Sequence, residues 1–202
     1  MLSYTADIAL KLQKMNLIDS VFVSTDCKQI AAVANECGVE VPILRPQNIS
    51  GDKAKSIDFV LDAIKFYENS KVEFDAVIVL QPTSPLKSLN DVKGAIRLFS
   101  KSDSSTLISA YREETINDLI MYHKEKDRAI ALNINHNQGI RRQDHGSVYI
   151  RNGAIYISKT SFIKTEKKIV SDFPLLYEMS KNNSINVDTY EDLEYVRNIM
   201  CK

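Results

Sequence analysis

The sequence predicts a single α/β domain over residues 1–202, with helices packed on a mostly parallel β-sheet. Short apolar runs alternate along the chain with longer segments whose apolar residues recur at helical spacing. That alternation is typical of βαβ units. The run at 76–80 is apolar at every position, which suits a strand buried on both faces. A chain of 202 residues is long enough to bury one sizeable core.

The first third of the chain is predicted to alternate helices with short strands. Apolar residues at helical spacing begin almost at the first residue, so a helix is expected there. Gly38 is expected to end the second helix, and Pro42 places the second strand at an edge. The predicted helices are 2–13, 27–37 and 56–67, and the predicted strands are 20–24 and 41–44.

The middle of the chain carries the strongest strand signal, followed by a loop rich in proline. The strand at 76–80 leads into Gln81-Pro82-Thr83-Ser84-Pro85-Leu86, and two prolines forbid a continued ladder there. A helix opened by Asn90 or Asp91 and a strand at 105–111 are expected next. Polarity then rises over 113–147, which predicts an arm that leaves the core.

The last part of the chain is predicted to return to the sheet. Asn152-Gly153 precedes a strand at 154–158, and 185–187 is a short final strand. The segment 189–192, Thr-Tyr-Glu-Asp, has the form of a capping box for a C-terminal helix.

The composition excludes several classes of protein. Lys plus Arg and Asp plus Glu are 26 each, so no general attraction to nucleic acid or to a membrane surface is expected. Three cysteines without metal-ligand spacing, and no visible signal peptide or membrane span, predict a cytoplasmic protein with reduced thiols. His123, His136 and His145 lie on the polar arm; surface positions are favoured over a shared metal site.

Ligands of open α/β sheets bind beyond the carboxyl ends of the strands, and three polar groups fall there. They are Asp26, the loop 81–84 and Asp188. Asp26 could instead cap the second helix, and Asp188 could simply favour the start of the last helix through its dipole. The loop is harder to explain structurally, because a turn does not need an amide and two hydroxyls between two prolines.

Arginines form a second group that could meet carboxylate or phosphate. Arg45 follows the predicted edge strand, Arg141 and Arg142 lie on the arm, and Arg151 comes after it. Their forked guanidinium suits such anions, although most surface arginines are only solvated. The six glycines are dispersed and form no phosphate-binding Gly-rich loop.

Several strings, in order, resemble the cytidylyltransferases that make CMP-sialic acid. They are Val23-Ser24-Thr25-Asp26, Leu44-Arg45-Pro46, Asp52-Lys53-Ala54-Lys55-Ser56, Leu80-Gln81-Pro82-Thr83-Ser84-Pro85-Leu86, Arg142-Gln143, Asn152-Gly153-Ala154-Ile155-Tyr156-Ile157 and Val187-Asp188-Thr189. The resemblance runs from Met1 to the last helix. It implies a Rossmann-like three-layer fold of the nucleotide-diphospho-sugar transferase type, and a homodimer whose arm reaches the partner's site.

The resemblance also implies a reaction and a set of site residues. The anomeric hydroxyl of a nonulosonic acid (sialic, legionaminic or pseudaminic acid) would attack the α-phosphate of CTP and release pyrophosphate, with Mg²⁺. Gln81, Arg142 and Asp188 would serve catalysis, with Arg142 reaching from a neighbouring copy of the chain. Nucleotide contacts would come from Arg45, Asp52 and Ser56; sugar contacts from Gln81, Pro82, Thr83, Ser84, Arg142, Gln143, Asn152 and Gly153; and metal ligands from Asp188 and Asn186.

The chain departs from the family pattern at two points that bear on function. Family members begin with a strand and a phosphate loop, and Met1 aligns just after them, so about two dozen residues are expected to be absent. Asn186 stands where the family commonly has a second metal carboxylate. Two alternatives therefore stay open: an enzyme similar to CMP-Kdo synthetase, and an impaired, truncated homologue that only folds, dimerises and binds nucleotide weakly.

Overall fold

A computed structural model describes residues 1–51, 54–139 and 146–200. The helices are α1 (Leu2–Lys14), α2 (Lys28–Glu36), α3 (Ser56–Asn69), α4 (Leu89–Ser100), α5 (Thr160–Glu166) and α6 (Tyr190–Met200). The strands are β1 (Ala76–Leu80), β2 (Thr106–Glu113), β3 (Tyr122–Glu125), β4 (Arg128–Ala131), β5 (Val148–Lys159) and β6 (Leu175–Met179). Short 3₁₀ turns lie at Gln47–Ile49, Asp118–Ile120 and Lys181–Ser184.

The main sheet of the described residues has the strand order β1-β5-β2-β6. β5 runs antiparallel to both β1 and β2, and β6 runs parallel to β2. Three of the four strands therefore point the same way, as expected for a mostly parallel sheet, and β5 is the reversed member. β3 and β4 form a separate hairpin within the predicted arm.

Helices cover both faces of the sheet, so the layers are helix, sheet and helix. On one face, α1 and α4 pack through Ile8, Leu12 and Val92 against a core that includes Leu107 and Ile155. On the other face, α3 and α5 pack through a smaller cluster of Val60, Ile64 and Ile163. The two clusters explain why β1 is apolar at every position. Its alternate side chains, Ala76, Ile78 and Leu80 on one side and Val77 and Val79 on the other, reach these two clusters.

Most predicted helices are confirmed with ends shifted by one or two residues. A local signal explains the start of α4, where Ser88 and Asp91 form a capping box and the Asp91 N–H donates to Ser88 Oγ over 3.1 Å. The predicted strand at 154–158 is confirmed as part of the longer β5. Among the described residues, each helix is too short or too polar to cross a membrane.

Three predicted strands are wrong; outside the arm, the strand β6 and the helix α5 were not predicted. Segment 20–24 forms only an isolated parallel bridge between Phe22 and Glu40, and neither 41–44 nor 185–187 is a strand. An apolar run reports burial, whereas a strand also needs a partner beside it. β6 was not predicted because it is only five residues long, includes Glu178 and follows directly on Pro174.

Candidate functional site

The loop that follows β1 lies against two segments that are distant in sequence. The N–H of Val187 donates to the carbonyl oxygen of Thr83 over 2.7 Å. The hydroxyl of Ser84 lies 3.4 Å from the backbone oxygen of Asn152 and 3.4 Å from Oδ1 of Asn186. The structure therefore brings together the loop, residues 152–153 of β5 and the 186–188 segment.

Gly153 lets the Gln81 side chain lie close to β5. Its φ is +73°, and a Cβ built there would lie 3.1 Å from Oε1 of Gln81. β2 and β5 shift register between Ile108 and Ala110, opposite this point. A bulge of this kind re-aims the backbone, and glycine is the residue that tolerates the positive φ. The arrangement presents the Gln81 amide beside the open backbone of Gly153.

Asn152 supports the bulge from inside the protein. Its side chain is buried; Oδ1 accepts from Ser109 Oγ over 2.6 Å and from the N–H of Ala154 over 3.1 Å. Its Nδ2 donates to Ser184 Oγ over 2.8 Å. Both ends of the amide are thus engaged within the protein, so Asn152 lies behind the loop, and its contact with a sugar stays a prediction.

Asp188 carries an exposed carboxylate beside an amide. Nδ2 of Asn186 donates to Oδ2 of Asp188 over 2.7 Å. The start of α6 is capped by other groups, because the Asp192 carboxylate accepts from the N–H of Thr189 and the Thr189 hydroxyl accepts from the N–H of Asp192. The predicted capping box at 189–192 is confirmed, and hydrogen bonds from Thr189 lower the pKa of Asp192. The Asp188 carboxylate is therefore not needed as a cap.

The side-chain oxygens of Asp188 and Asn186 suit a hard cation such as Mg²⁺ only in part. Magnesium in proteins takes one or two carboxylates and completes its shell with water and substrate phosphates, so the single carboxylate of Asp188 fits. Asn186 as placed turns its Nδ2 toward Asp188, so its amide must turn over before its oxygen can face the same cation. Within residues 1–51, 54–139 and 146–200, no three His, Cys, Asp or Glu side chains gather around one point.

Arg45 belongs to a second cluster, at the start of α3. Its N–H donates to the Thr25 carbonyl over 2.8 Å, its Nη2 lies 3.3 Å from Asp26 Oδ1, and its guanidinium stacks over the Phe59 ring at 5.5 Å. Ser56, the first residue of α3, lies one turn before Phe59 and is exposed. Arg45 and Ser56 therefore lie close to the same end of one helix, which supports their assignment to one ligand.

The structure corrects the alternative role of Asp26. The N-cap of α2 is Cys27, without a side-chain cap, and the Cys27 N–H donates to Thr25 Oγ1 over 3.1 Å. Asp26 pairs with Arg45 instead. The reason is that the chain stays extended through Cys27, so the helix starts one residue later than a cap by Asp26 would require.

Three predicted site residues cannot be placed. Asp52, Arg142 and Gln143 lie outside the described residues. Among the described histidines, His136 Nδ1 lies 3.0 Å from the Tyr122 hydroxyl on the arm.

Sequence reasoning missed Lys87, which is 3% exposed. Its ammonium donates to the carbonyl oxygens of Gln81 and Ser84 over 2.7 and 2.8 Å, and to Thr5 Oγ1 over 3.0 Å. Burial lowers the pKa of Lys87 to about 7. The contact with Thr5 joins residues 82 positions apart, so no local pattern could have revealed it.

A cavity of about 410 Å³ lies elsewhere, between α3 and α5, beside Asp75 just before β1 and Thr160 just after β5. This is the opposite end of β1 from Gln81. The predicted site is therefore not the concave cavity but the open edge where the loop, Gly153 and Asp188 meet.

Comparisons with known proteins identify the family of this chain. A family model described as cytidylyltransferase matches residues 1–199. An N-acylneuraminate cytidylyltransferase of Streptococcus agalactiae serotype III (strain NEM316) is 32% identical over 196 residues, covering 97% of this chain and 46% of that protein. A pseudaminic acid cytidylyltransferase of Campylobacter jejuni subsp. jejuni serotype O:2 (strain ATCC 700819 / NCTC 11168) is 27% identical over 197 residues, covering 98% and 83%.

A solved structure of CMP:2-keto-3-deoxy-manno-octonic acid synthetase complexed with CTP superposes with a TM-score of 0.67 at 16% identity, covering 98% of this chain and 86% of that one. This likeness confirms the expected fold. The chain spans less than half the length of the streptococcal relative.

Proposed function

The chain belongs to the cytidylyltransferase family, and we propose that it transfers CMP from CTP to the anomeric hydroxyl of a nonulosonic acid. The hydroxyl oxygen forms a bond to the α-phosphorus, the bond from that phosphorus to the pyrophosphate breaks, and the hydroxyl proton is lost. The relatives named for N-acylneuraminate and pseudaminic acid support this class of sugar. One observation carries the proposal: the hydrogen bond of 2.7 Å from Val187 to Thr83 places the Gln81 loop beside Asp188.

Each residue of the site has a role that its surroundings support. Arg45, held by Asp26 and stacked on Phe59, is placed to meet the cytidine with Ser56. The Gln81 amide can donate to and accept from sugar hydroxyls, and its closeness to Gly153 limits where it can turn.

We assign Mg²⁺ to Asp188, with Asn186 as the neutral second ligand after its amide turns over. When bound, the cation neutralises charge and orients phosphate oxygens. The charge on Asp188 is needed because Asn186 supplies an oxygen without charge.

The test is CMP-sugar formation from CTP with Mg²⁺ and, separately, N-acetylneuraminic, legionaminic, pseudaminic and 2-keto-3-deoxy-octonic acid. Asp188→Ala should nearly abolish product formation with little change in melting temperature. Glu191→Ala is the matched control, because it removes an exposed carboxylate from the first turn of α6 and should leave both the melting temperature and the activity close to wild type.

Two outcomes would overturn the proposal. Wild-type protein that binds CTP yet forms no product with any of the four sugars would favour a nucleotide-binding homologue. An Asp188→Ala variant that melts lower and keeps its activity would refute the metal assignment.

We also propose a homodimer formed through the arm, defined as residues 113–147. The described part of the arm exposes apolar side chains, and Ile134 is 92% exposed. Exposed apolar side chains gathered on one projecting element mark an interaction surface. Within the described residues, the hairpin β3–β4 pairs only with itself in the sheets, so the arm adds little to the protein's own core.

Sedimentation at micromolar concentration tests the dimer. Ile134→Asp should shift the protein to monomer, whereas Phe173→Asp, at a position also 92% exposed but before β6, should leave the dimer unchanged. A wild-type monomer would refute the proposal.

A further inference from the structure

Lys87 is a buried cation whose three hydrogen bonds all go to neutral oxygens. A buried ammonium is costly unless its donors are satisfied, so the surroundings must supply three acceptors. Two of them are the backbone carbonyls of Gln81 and Ser84, the first and last residues of the loop predicted to meet the sugar. The third is Thr5 on α1.

The loop needs an outside donor because of its own sequence. Pro82 and Pro85 have no N–H to donate, so the chain cannot continue the ladder of β1. One internal bond, from the Ser84 N–H to the Gln81 carbonyl over 3.2 Å, closes the turn. Lys87 adds bonds to both ends of the turn at once. It therefore fixes the distance between them and ties the turn to α1.

Because the third partner is the hydroxyl of Thr5, the contacts of Lys87 can form whether its amine is charged or neutral. A neutral amine would still donate to the two carbonyls and could accept a hydrogen bond from the Thr5 hydroxyl, which rotates freely. The loop keeps its three contacts in either state.

We infer that Lys87 is a positioning residue that holds the Gln81–Ser84 loop in the form that presents the Gln81 amide to the sugar. Lys87 is itself buried, so it acts through the loop rather than by contact with a substrate. The effect on the sugar rests on the function proposed above, whereas the effect on the loop does not.

The experiment compares Lys87→Met, which keeps the length of the side chain and removes its donors, with Lys87→Arg, which keeps a cation that can donate to the same carbonyls. Amide hydrogen exchange at Ser84 and Val187, whose N–H groups donate to the Gln81 and Thr83 carbonyls, should rise about tenfold or more in Lys87→Met, as for the loss of bonds to buried groups. The KM for the sugar should rise by a similar factor while the KM for CTP changes little. Lys87→Arg should stay close to wild type in both measurements. Lys93→Met, an exposed change on α4, is the control for removing a lysine.

The outcomes separate the inference from the proposed function. Exchange that is unchanged in Lys87→Met, or that rises evenly over the whole sheet, would overturn the positioning role. Local exchange that rises in a protein without transferase activity would keep the positioning role and refute the proposed function. If Lys87→Met does not fold, Thr5→Val can be used instead, because it removes one of the three acceptors. It should raise amide exchange at the same two residues by a smaller factor. Unchanged exchange there would overturn the positioning role.

Discussion

Replacing Gly153 with alanine would perturb the predicted site in two ways, through the backbone and through one contact. Gly153 has a φ of +73°, and the added Cβ would lie 3.1 Å from Oε1 of Gln81. Left-handed backbone costs an L-residue about 1–2 kcal/mol. Alanine also leaves the unfolded chain fewer conformations than glycine does, and this stabilises the folded state by about 0.4–1 kcal/mol. The net loss in the free energy of unfolding should be about 1 kcal/mol, lowering the Tm by about 2–4 °C in a chain of this size.

Gly38→Ala is the matched control. Gly38 has a φ of +81°, so its backbone cost is similar, but its added Cβ would lie at an ordinary 3.7 Å from Leu10 Cδ1. Both variants should therefore melt lower by a similar amount.

Only Gly153→Ala should affect the sugar. The Gln81 amide must give way by a few tenths of an ångström. A hydrogen bond weakened by about 1 kcal/mol would raise the KM for the sugar roughly fivefold. Thermal unfolding and steady-state kinetics with varied sugar measure the two effects. Equal KM values for the sugar in the Gly153→Ala and Gly38→Ala variants would refute the idea that Gln81 meets the sugar beside Gly153.

Three further perturbations test the packing and charges described above. A hydrogen bond from Lys181 lowers the pKa of Glu113 to about 2 from 4.5, so the unfolded chain binds more protons between these values and stability is lost as the pH falls through them. Glu113→Gln should flatten this loss in urea unfolding measured at several acidic pH values. Because the pKa of Lys87 is lowered from 10.5 to about 7, the unfolded chain again holds the extra proton between these values, and stability should rise with pH there; Lys87→Met should remove the rise. Gly94→Ala should lower the Tm, since the new Cβ would lie 2.8 Å from ring carbons of Tyr177 and overpacking costs about 1–3 kcal/mol; Tyr177→Leu should recover part of the loss.

The parts of the molecule that local signals determine could be read from the sequence. The apolar run of β1 predicts a strand buried on both faces, and the structure buries both of its faces. The two prolines follow the end of that strand at Leu80, and the capping box of Thr189 and Asp192 starts α6. In each case, residues adjacent or a few positions apart carry the signal, because strand burial, turn formation and helix capping are local events.

Strand pairing was less predictable, because it depends on what lies beside a segment. Segment 20–24 is as apolar as a buried strand, yet within the described residues it makes one isolated bridge, to Glu40. β6 has a weaker pattern and still pairs with β2 over five residues. An apolar run indicates that a segment is buried. Whether that segment pairs as a strand depends on whether the fold places another backbone beside it.

The sequence by itself determined the α/β class, the β1 strand with its proline-bounded loop, and the residue types offered at Gln81 and Asp188. Only the tertiary structure decided which partners those residues have: Asp26 with Arg45, Asn152 with Ser109 and Ser184, and Lys87 with Thr5. These partners stand 19 to 82 positions apart. The physical reason is that a buried polar group must find a hydrogen-bond partner, and the identity of that partner depends on how distant segments pack rather than on its neighbours in the chain.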